Sequence, residues 1–420
     1  MRPLLARSCM AFALMVAAFS PAVPAAADPA PAPADRFSVR IDGSAYTADG
    51  ALTSGGFAVT DRVADFATVR IAGRGAFPGP SGGDVTAALD VRRGLTGLTG
   101  SFTLEDPGSG VRVKADVRGV TVPEDGTVTW TGPASVTDGP DTARRTVSLT
   151  LVDALPDPGD HAIRIAHAGV ERRAILRLPD DYDGTPRPVL FHFPGLIEAP
   201  WMAEFFGRMA DHARTRGYIM ITPEHHGRGW QGVPAGTTEP ELDDPGFVMR
   251  LQDILVERFN ADPSRLYASG MSNGGFFTSK LACENTRFAA FAPVSGQLSD
   301  IAGCAPTRPV PIVLLHGDGD SVVPYTTAPP AAAFWAGNNG CSTDTETTAL
   351  PDLDPADRTT VDRITYLGCP ADAPVVLYRI RGGGHNWPGG LPFLGPFLGG
   401  TTHDITANDV IWDFVTAFHL

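Results

Sequence analysis

The residues with the clearest chemical potential begin at Ser272. Leu266 to Phe277 reads LYASGMSNGGFF, which sets this serine between Gly270 and Gly274. With 47 glycines in the chain, a G-x-S-x-G match decides little by itself. Its context decides more. Arg265-Leu266-Tyr267-Ala268-Ser269 reads as a buried strand, and Phe276 to Cys283 can continue as a helix. Ser272 then sits on a strand-to-helix turn, the setting that exposes a nucleophilic hydroxyl, with glycines where side chains would not fit. A serine hydroxyl is a weak nucleophile until a base takes its proton, and the base needs a carboxylate to orient it. PIVLLHGDGDSVVPY ends one apolar run with acids, and YRIRGGGHNWPGG ends another with a histidine. Asp320 and His385 thus follow the serine in the order acid, then histidine, each just past the C-terminal end of a strand. Asp320 is preferred to Asp318 because it opens the loop toward Val323-Pro324, whereas Asp318 suits a turn or cap. The three glycines before His385 let the backbone bring its ring to the serine.

An oxyanion forming at the attacked carbonyl needs two aimed backbone N–H groups. Asn273, the residue after the nucleophile, supplies one. The turn after an early strand, here LFHFPGL, supplies the other; Phe193 is the candidate, since Pro194 has no N–H to give. Trp201, Trp230 and Trp387 fall in loops at the same end of the strands, where aromatic walls would suit an aryl ester, a sugar or a polyester chain. LPFLGPFLGG, Leu391 to Gly400, is either an apolar lip for a greasy substrate or a loop tucked against the last helix. Glu224-His225-His226 reads as a solvated loop rather than a metal site, because adjacent histidines point apart. No cofactor or metal is expected.

These residues need elements to place them. From Ala162 onward, short apolar runs alternate with segments long enough for helices: AILRLP, PVLFHFPG, GYIMITP, RLYASG, FAAFAPVSG, PIVLLHGDGD and VVLYRIRGGGH. This is the mark of an α/β domain with a mostly parallel, doubly covered sheet. The helices expected include Met202 to Arg216, Phe247 to Phe259, and Ala407 to Phe418 with Thr406 as N-cap and Trp412 and Phe414 turned inward. Residues 36–152 differ: FSVRI, VTAALDV, SFTLED, VRVKADV and TVSLTLV recur between Gly, Pro and Asp turns. They read as an all-β sandwich or barrel.

The N-terminus indicates the compartment. Arg2 and Arg7 precede an apolar run from Met10 to Phe19, and Ala25-Ala26-Ala27 offers a cleavage site. Residues 1–27 are the layout of a secretory signal, too short to span a membrane, and 28–35 form a Pro/Ala linker. Cleavage would move the net charge from −14 to about −16, which argues against nucleic acid or an anionic membrane as partner. No later stretch is apolar enough for membrane insertion. Four cysteines then remain, an even number suited to disulfides in an exported chain. Of three pairings, Cys283–Cys304 and Cys341–Cys369 close the shortest non-overlapping loops.

As an ordered set, GMSNGG, AAFAPVSG, HGDGDSVVPY, a cysteine before the last strand, and GGGHNWPGG make residues 162–420 resemble the exported esterases grouped with polyhydroxybutyrate depolymerases and bacterial feruloyl or acetylxylan esterases. The resemblance implies an α/β-hydrolase fold with Ser272, Asp320 and His385 as a triad, cleaving esters through an acyl-enzyme without cofactor. Where such esterases carry a His-Gly turn, this chain has FHFPG. A polymer-linked, aryl or acetyl ester and a hydroxyalkanoate polyester are the competing substrates. A non-catalytic polysaccharide-binding protein on a hydrolase scaffold is the rival from another class.

Overall fold

Val111–Arg118 reads VRVKADVR, and its residues are alternately buried and exposed along the whole length. Valine and alanine face one side and charged residues the other, as a half-covered strand requires. A computed structural model of the protein describes residues 36–420 except 43, 45, 52–53, 62–68, 81–82, 95–96, 121–126, 153–157, 235–241 and 393–394. The leader and linker read from the sequence lie outside these residues. So does part of the LPFLGPFLGG segment.

The first half forms nine strands: β1 (Arg36–Ile41), β2 (Thr47–Ala51), β3 (Ser54–Asp61), β4 (Val69–Pro78), β5 (Asp84–Gly94), β6 (Gly97–Asp106), β7 (Val111–Arg118), β8 (Thr127–Asp138) and β9 (Asp141–Val152). They make one antiparallel sheet in the order β2-β1-β9-β8-β7-β6-β5-β4-β3. Phe37 on β1 nevertheless meets Phe77 on β4, with ring centroids 5.5 Å apart, and Phe102 on β6 at 5.8 Å. In a flat sheet β1 and β4, six places apart, would be separated by about 30 Å. The sheet must therefore curl until its apolar face packs on itself. Of the two architectures the pattern allowed, the single curled, barrel-like sheet is the one formed.

The second half forms β10 (Gly159–His167), β11 (Val170–Leu178), β12 (Arg187–Phe193), β13 (Ile219–Pro223), β14 (Ala261–Met271), β15 (Ala290–Val294), β16 (Ile312–Gly317), β17 (Thr345–Ala349), β18 (Thr360–Tyr366) and β19 (Val375–Arg381). Their order is β10-β11-β13-β12-β14-β15-β16-β19-β18-β17. The strands from β13 to β19 in that order pair in parallel, and antiparallel strands flank them on both sides. Every residue of β13, β15 and β16 is buried, because helices cover both faces. On one face Phe247, Phe277 and Trp335 come from α3 (Asp244–Arg258), α4 (Asn273–Glu284) and α5 (Ala328–Asn339). On the other, Met209 and Trp412 come from α2 (Met209–Arg216) and α6 (Ala407–Val415).

The helix expected over Met202 to Arg216 is two helices, α1 (Pro200–Gly207) and α2. Arg208 breaks it by taking a left-handed conformation at φ 52°, and the chain turns there to bring Met209 into the core. Both expected disulfides are present, Cys283–Cys304 and Cys341–Cys369. Among the described residues, no helix is long and apolar enough to cross a membrane.

Candidate active site

Ser272 joins β14 directly to α4 and holds φ 56° and ψ −120°. A side-chain-bearing residue adopts such a backbone only when its surroundings enforce it. They do so here through close packing. A Cβ on Gly270 would fall 2.5 Å from the Gly274 carbonyl oxygen, and one on Gly274 would fall 1.9 Å from that of Phe193. The Ser272 N–H donates to the Val294 carbonyl at 2.9 Å, which ties the turn to the end of β15.

Asp320 lies three residues past β16, and His385 four past β19. The loops they occupy are bonded together, with the Gly319 N–H donating to the Gly383 carbonyl at 2.9 Å. His385 Nδ1 lies 2.7 Å from Asp320 Oδ2. The other carboxylate oxygen accepts the N–H groups of Val322 and Val323, both at 2.8 Å. Burial raises the Asp320 pKa, but hydrogen bonds from His316 and His385, with that of Val323, outweigh it and hold the carboxyl well below its ordinary range. The group is therefore an anion with its oxygens fixed, and His385 Nε2 has no partner among the described residues. Asp318 is occupied elsewhere, accepting Arg379 Nε and Nη2 at 2.9 and 2.7 Å and the Gly382 N–H at 2.7 Å.

Ser272 and His385 open onto one cavity of about 410 Å³. Its walls are mainly apolar, with Met202, Phe206, Met271, Val322 and Trp387 among them. A wider groove of about 740 Å³ beside α6 contains neither residue.

The structure separates the other expected site residues. Trp387 lines the cavity, its Nε1 donating to Asn408. Trp201 is 44% exposed on α1 and lines no part of the cavity. Trp230 is wholly buried, stacked on Phe277, so it packs in the core and offers substrate nothing. Its Nε1 donates to the Pro194 carbonyl at 2.9 Å, and its backbone N–H to Asn273 Oδ1 at 2.8 Å. The tryptophan thus braces the turn after β12 against the start of α4. A fully buried ion pair, Arg172 to Asp244 at 2.7 Å, secures this brace, because Asp244 also accepts the N–H of Gln231. His225 is buried edge-on to Trp230 while His226 is exposed, so only half of that histidine pair sits in solvent. The glycines and polar residues around Trp230, HHGRGWQG, carried no mark that told core from site.

Phe193 ends β12 with its ring buried between Trp230 and Phe277, and the cavity wall passes from His192 to Gly195 without it. Leu196 does line the cavity, and its N–H has no hydrogen-bond partner among the described residues. The neighbouring donors are all engaged: Gly195 N–H to Glu198 Oε2 at 2.7 Å, and Ile197 N–H to the Arg228 carbonyl at 2.8 Å. Asn273 opens α4, where first-turn N–H groups have no intrahelical partner. Among the described residues, the N–H groups of Leu196, which lines the cavity with Ser272, and of Asn273, which follows it in the chain, are therefore without a partner.

No family model matches the chain. Over 258 residues it is 31% identical to the putative esterase NocK of Nocardia uniformis subsp. tsuyamanensis, spanning 56% of this chain and 74% of that protein. The chain belongs to the feruloyl and acetylxylan esterase-like family. The esterase is also 26% identical over 285 residues to a probable feruloyl esterase C of Aspergillus niger, 64% of this chain and 94% of that one. A third relative is the bifunctional acetylxylan esterase/xylanase XynS20E of Neocallimastix patriciarum, 26% identical over 237 residues, 54% of this chain and 31% of that protein. All these matches mark the esterase as a carboxylic ester hydrolase.

One carboxyl of the esterase's cavity went unnoticed in the sequence. Glu198 is partly buried beside Ser272 and His385. Burial raises its pKa, which the Gly195 N–H and His385 partly offset. An acid between an apolar pair and a proline, as in LIEAP, looks like a helix-start residue, and nothing local distinguishes it.

Proposed function

We propose that the protein is a secreted serine carboxylic-ester hydrolase acting on polymer-linked, aryl or acetyl esters. The observation that carries the reading is a serine on a strained strand-to-helix turn, sharing a cavity with a histidine bonded to a buried carboxylate. Ser272 Oγ attacks the ester carbonyl carbon while its proton passes to His385 Nε2. Asp320 holds the ring and stabilises the imidazolium. The C–O bond to the alcohol then breaks, and His385 returns the proton to the departing oxygen. Water enters by the same route, leaving the carboxylic acid and the free serine. For the oxyanion we assign the N–H groups of Asn273 and Leu196, with Leu196 in place of Phe193. The exchange is supported by the Leu196 N–H, which has no partner among the described residues and belongs to a residue lining the cavity.

Export fits the two disulfides, which persist in oxidising compartments. Residues 36–152 and 162–420 are proposed as separate domains, the second an α/β-hydrolase. The buried residues support this division, since one cluster lies wholly within the first and the other two, one on each face of the second sheet, lie wholly within the second. The β domain would attach the enzyme to a polymer or assist its folding. A polyester substrate is the second reading, favoured by Ile197 and Val322, which are 71% and 52% exposed at the cavity.

Ser272→Ala is expected to lower kcat on p-nitrophenyl acetate by on the order of 10⁵-fold or more. Full activity in that variant would sink the triad. Product release from feruloylated arabinoxylan, set against a hydroxybutyrate film, separates the two substrate readings.

A further inference from the structure

The cavity's polar groups are few, and most are committed. His192 is bonded to Ser269, its ring edge-on to Trp387. Asp320 is turned to His385 and the Val322 and Val323 N–H groups. Glu198 differs. Its Oε2 accepts from Gly195, but Oε1 has no partner among the described residues, and Glu198 lines the cavity. The carboxyl also lies close to the reacting centre. The point that a Cβ on Gly195 would occupy is 3.1 Å from Glu198 Oε2 and 3.6 Å from Ser272 Cβ. The carboxyl therefore stands beside the position an ester takes at Ser272. In apolar walls, a lone hydrogen-bonding atom sorts ligands sharply, because a substrate without the matching group leaves it unpaired.

We infer that Glu198 is a specificity-determining residue, its Oε1 accepting a hydrogen bond from a hydroxyl on the alcohol side of the ester. The substrate class is then a partly acylated polyol, such as a sugar whose free hydroxyl neighbours the ester oxygen. Internal esters of a polyhydroxyalkanoate have no such hydroxyl and leave Oε1 unpaired. The inference rests on the esterase reading and narrows it.

The test compares 2-hydroxyethyl acetate with 2-methoxyethyl acetate, which differ in that the second cannot donate. On the full-length enzyme, kcat/KM is expected to favour the hydroxyl ester by about ten-fold or more. The ratio is read within each protein, so any general loss of activity or folding in a variant cancels. Glu198→Gln keeps the clamp on Gly195 through its amide oxygen and turns an NH₂ donor to the cavity, which both esters can satisfy. There the ratio is expected to fall to within about two-fold, and Glu198→Ala should do the same. A ratio near one in the unaltered enzyme, or one that survives Glu198→Gln, overturns the inference and leaves Glu198 a clamp for the turn. If neither acetate nor p-nitrophenyl acetate is hydrolysed, the esterase reading itself fails.

Discussion

Asp318 and Asp320 stand two residues apart after the same strand, yet their carboxylates have different partners. Asp318 closes on Arg379 and a backbone N–H, while Asp320 meets His385. If the division of labour is as proposed, Asp320→Asn should cut kcat by about 10⁴-fold, through the wrong imidazole tautomer. Asp318→Asn should change it only a few-fold. Steady-state kinetics on one soluble ester compares them. The sequence favours Asp320 because chain order and the loop toward Val323 are readable along one dimension. It does not tell Phe193 from Leu196, since which N–H faces the cavity depends on where β12 ends and how Pro194-Gly195 turns. A crystal structure of a phosphonate adduct on Ser272 should put the phosphonyl oxygen within hydrogen-bond reach of the Leu196 and Asn273 N–H groups. An oxygen placed against Phe193 instead would reverse the assignment. Trp230 was illegible for a related reason: the residues it holds, Pro194 and Asn273, are distant in the chain.

At the scale of elements, periodicity read the strands better than the helices. The strands of both sheets carry their burial in the alternation or continuity of apolar residues. Helix ends depend on single residues instead. Thr406 was legible as a cap, and its Oγ1 accepts the Asp409 N–H at 3.1 Å while donating to Asp409 Oδ2 at 2.5 Å. At the break after α1 the left-handed residue is Arg208 and not the Gly207 beside it, so the usual glycine cap signal falls one residue early. The Asp409 carboxyl, held by Thr406 and Arg216 against the opposing effect of burial and further by His212, has its pKa lowered from 3.8 to about 2. Because the folded-state value is the lower one, its stabilisation is complete above about pH 4 and disappears as pH falls through about 2. Asp409→Asn should therefore melt below the unaltered protein at pH 6, with the gap closing between pH 4 and 2. A gap independent of pH would show that the contact acts through packing alone.

For the whole molecule, composition and texture separated a strand-only half from an alternating half. They could not show that the first is one sheet, because closure joins β1 to β9 across the full half. The two halves have their own cores, so residues 158–420 alone are expected to keep kcat on p-nitrophenyl acetate within a few-fold. A fragment that stays insoluble or inert would make the β half part of the catalytic unit. The order of the nine-stranded sheet also bears on how the protein is made. Each strand from β3 to β9 pairs with the one before or after it, so those hairpins can form as the chain emerges. β1 is the exception, waiting beside β2 for a strand that arrives last. Until then it offers a bare edge able to recruit another nascent chain. Refolding should therefore show a late, aggregation-sensitive phase that truncation before β9 makes permanent.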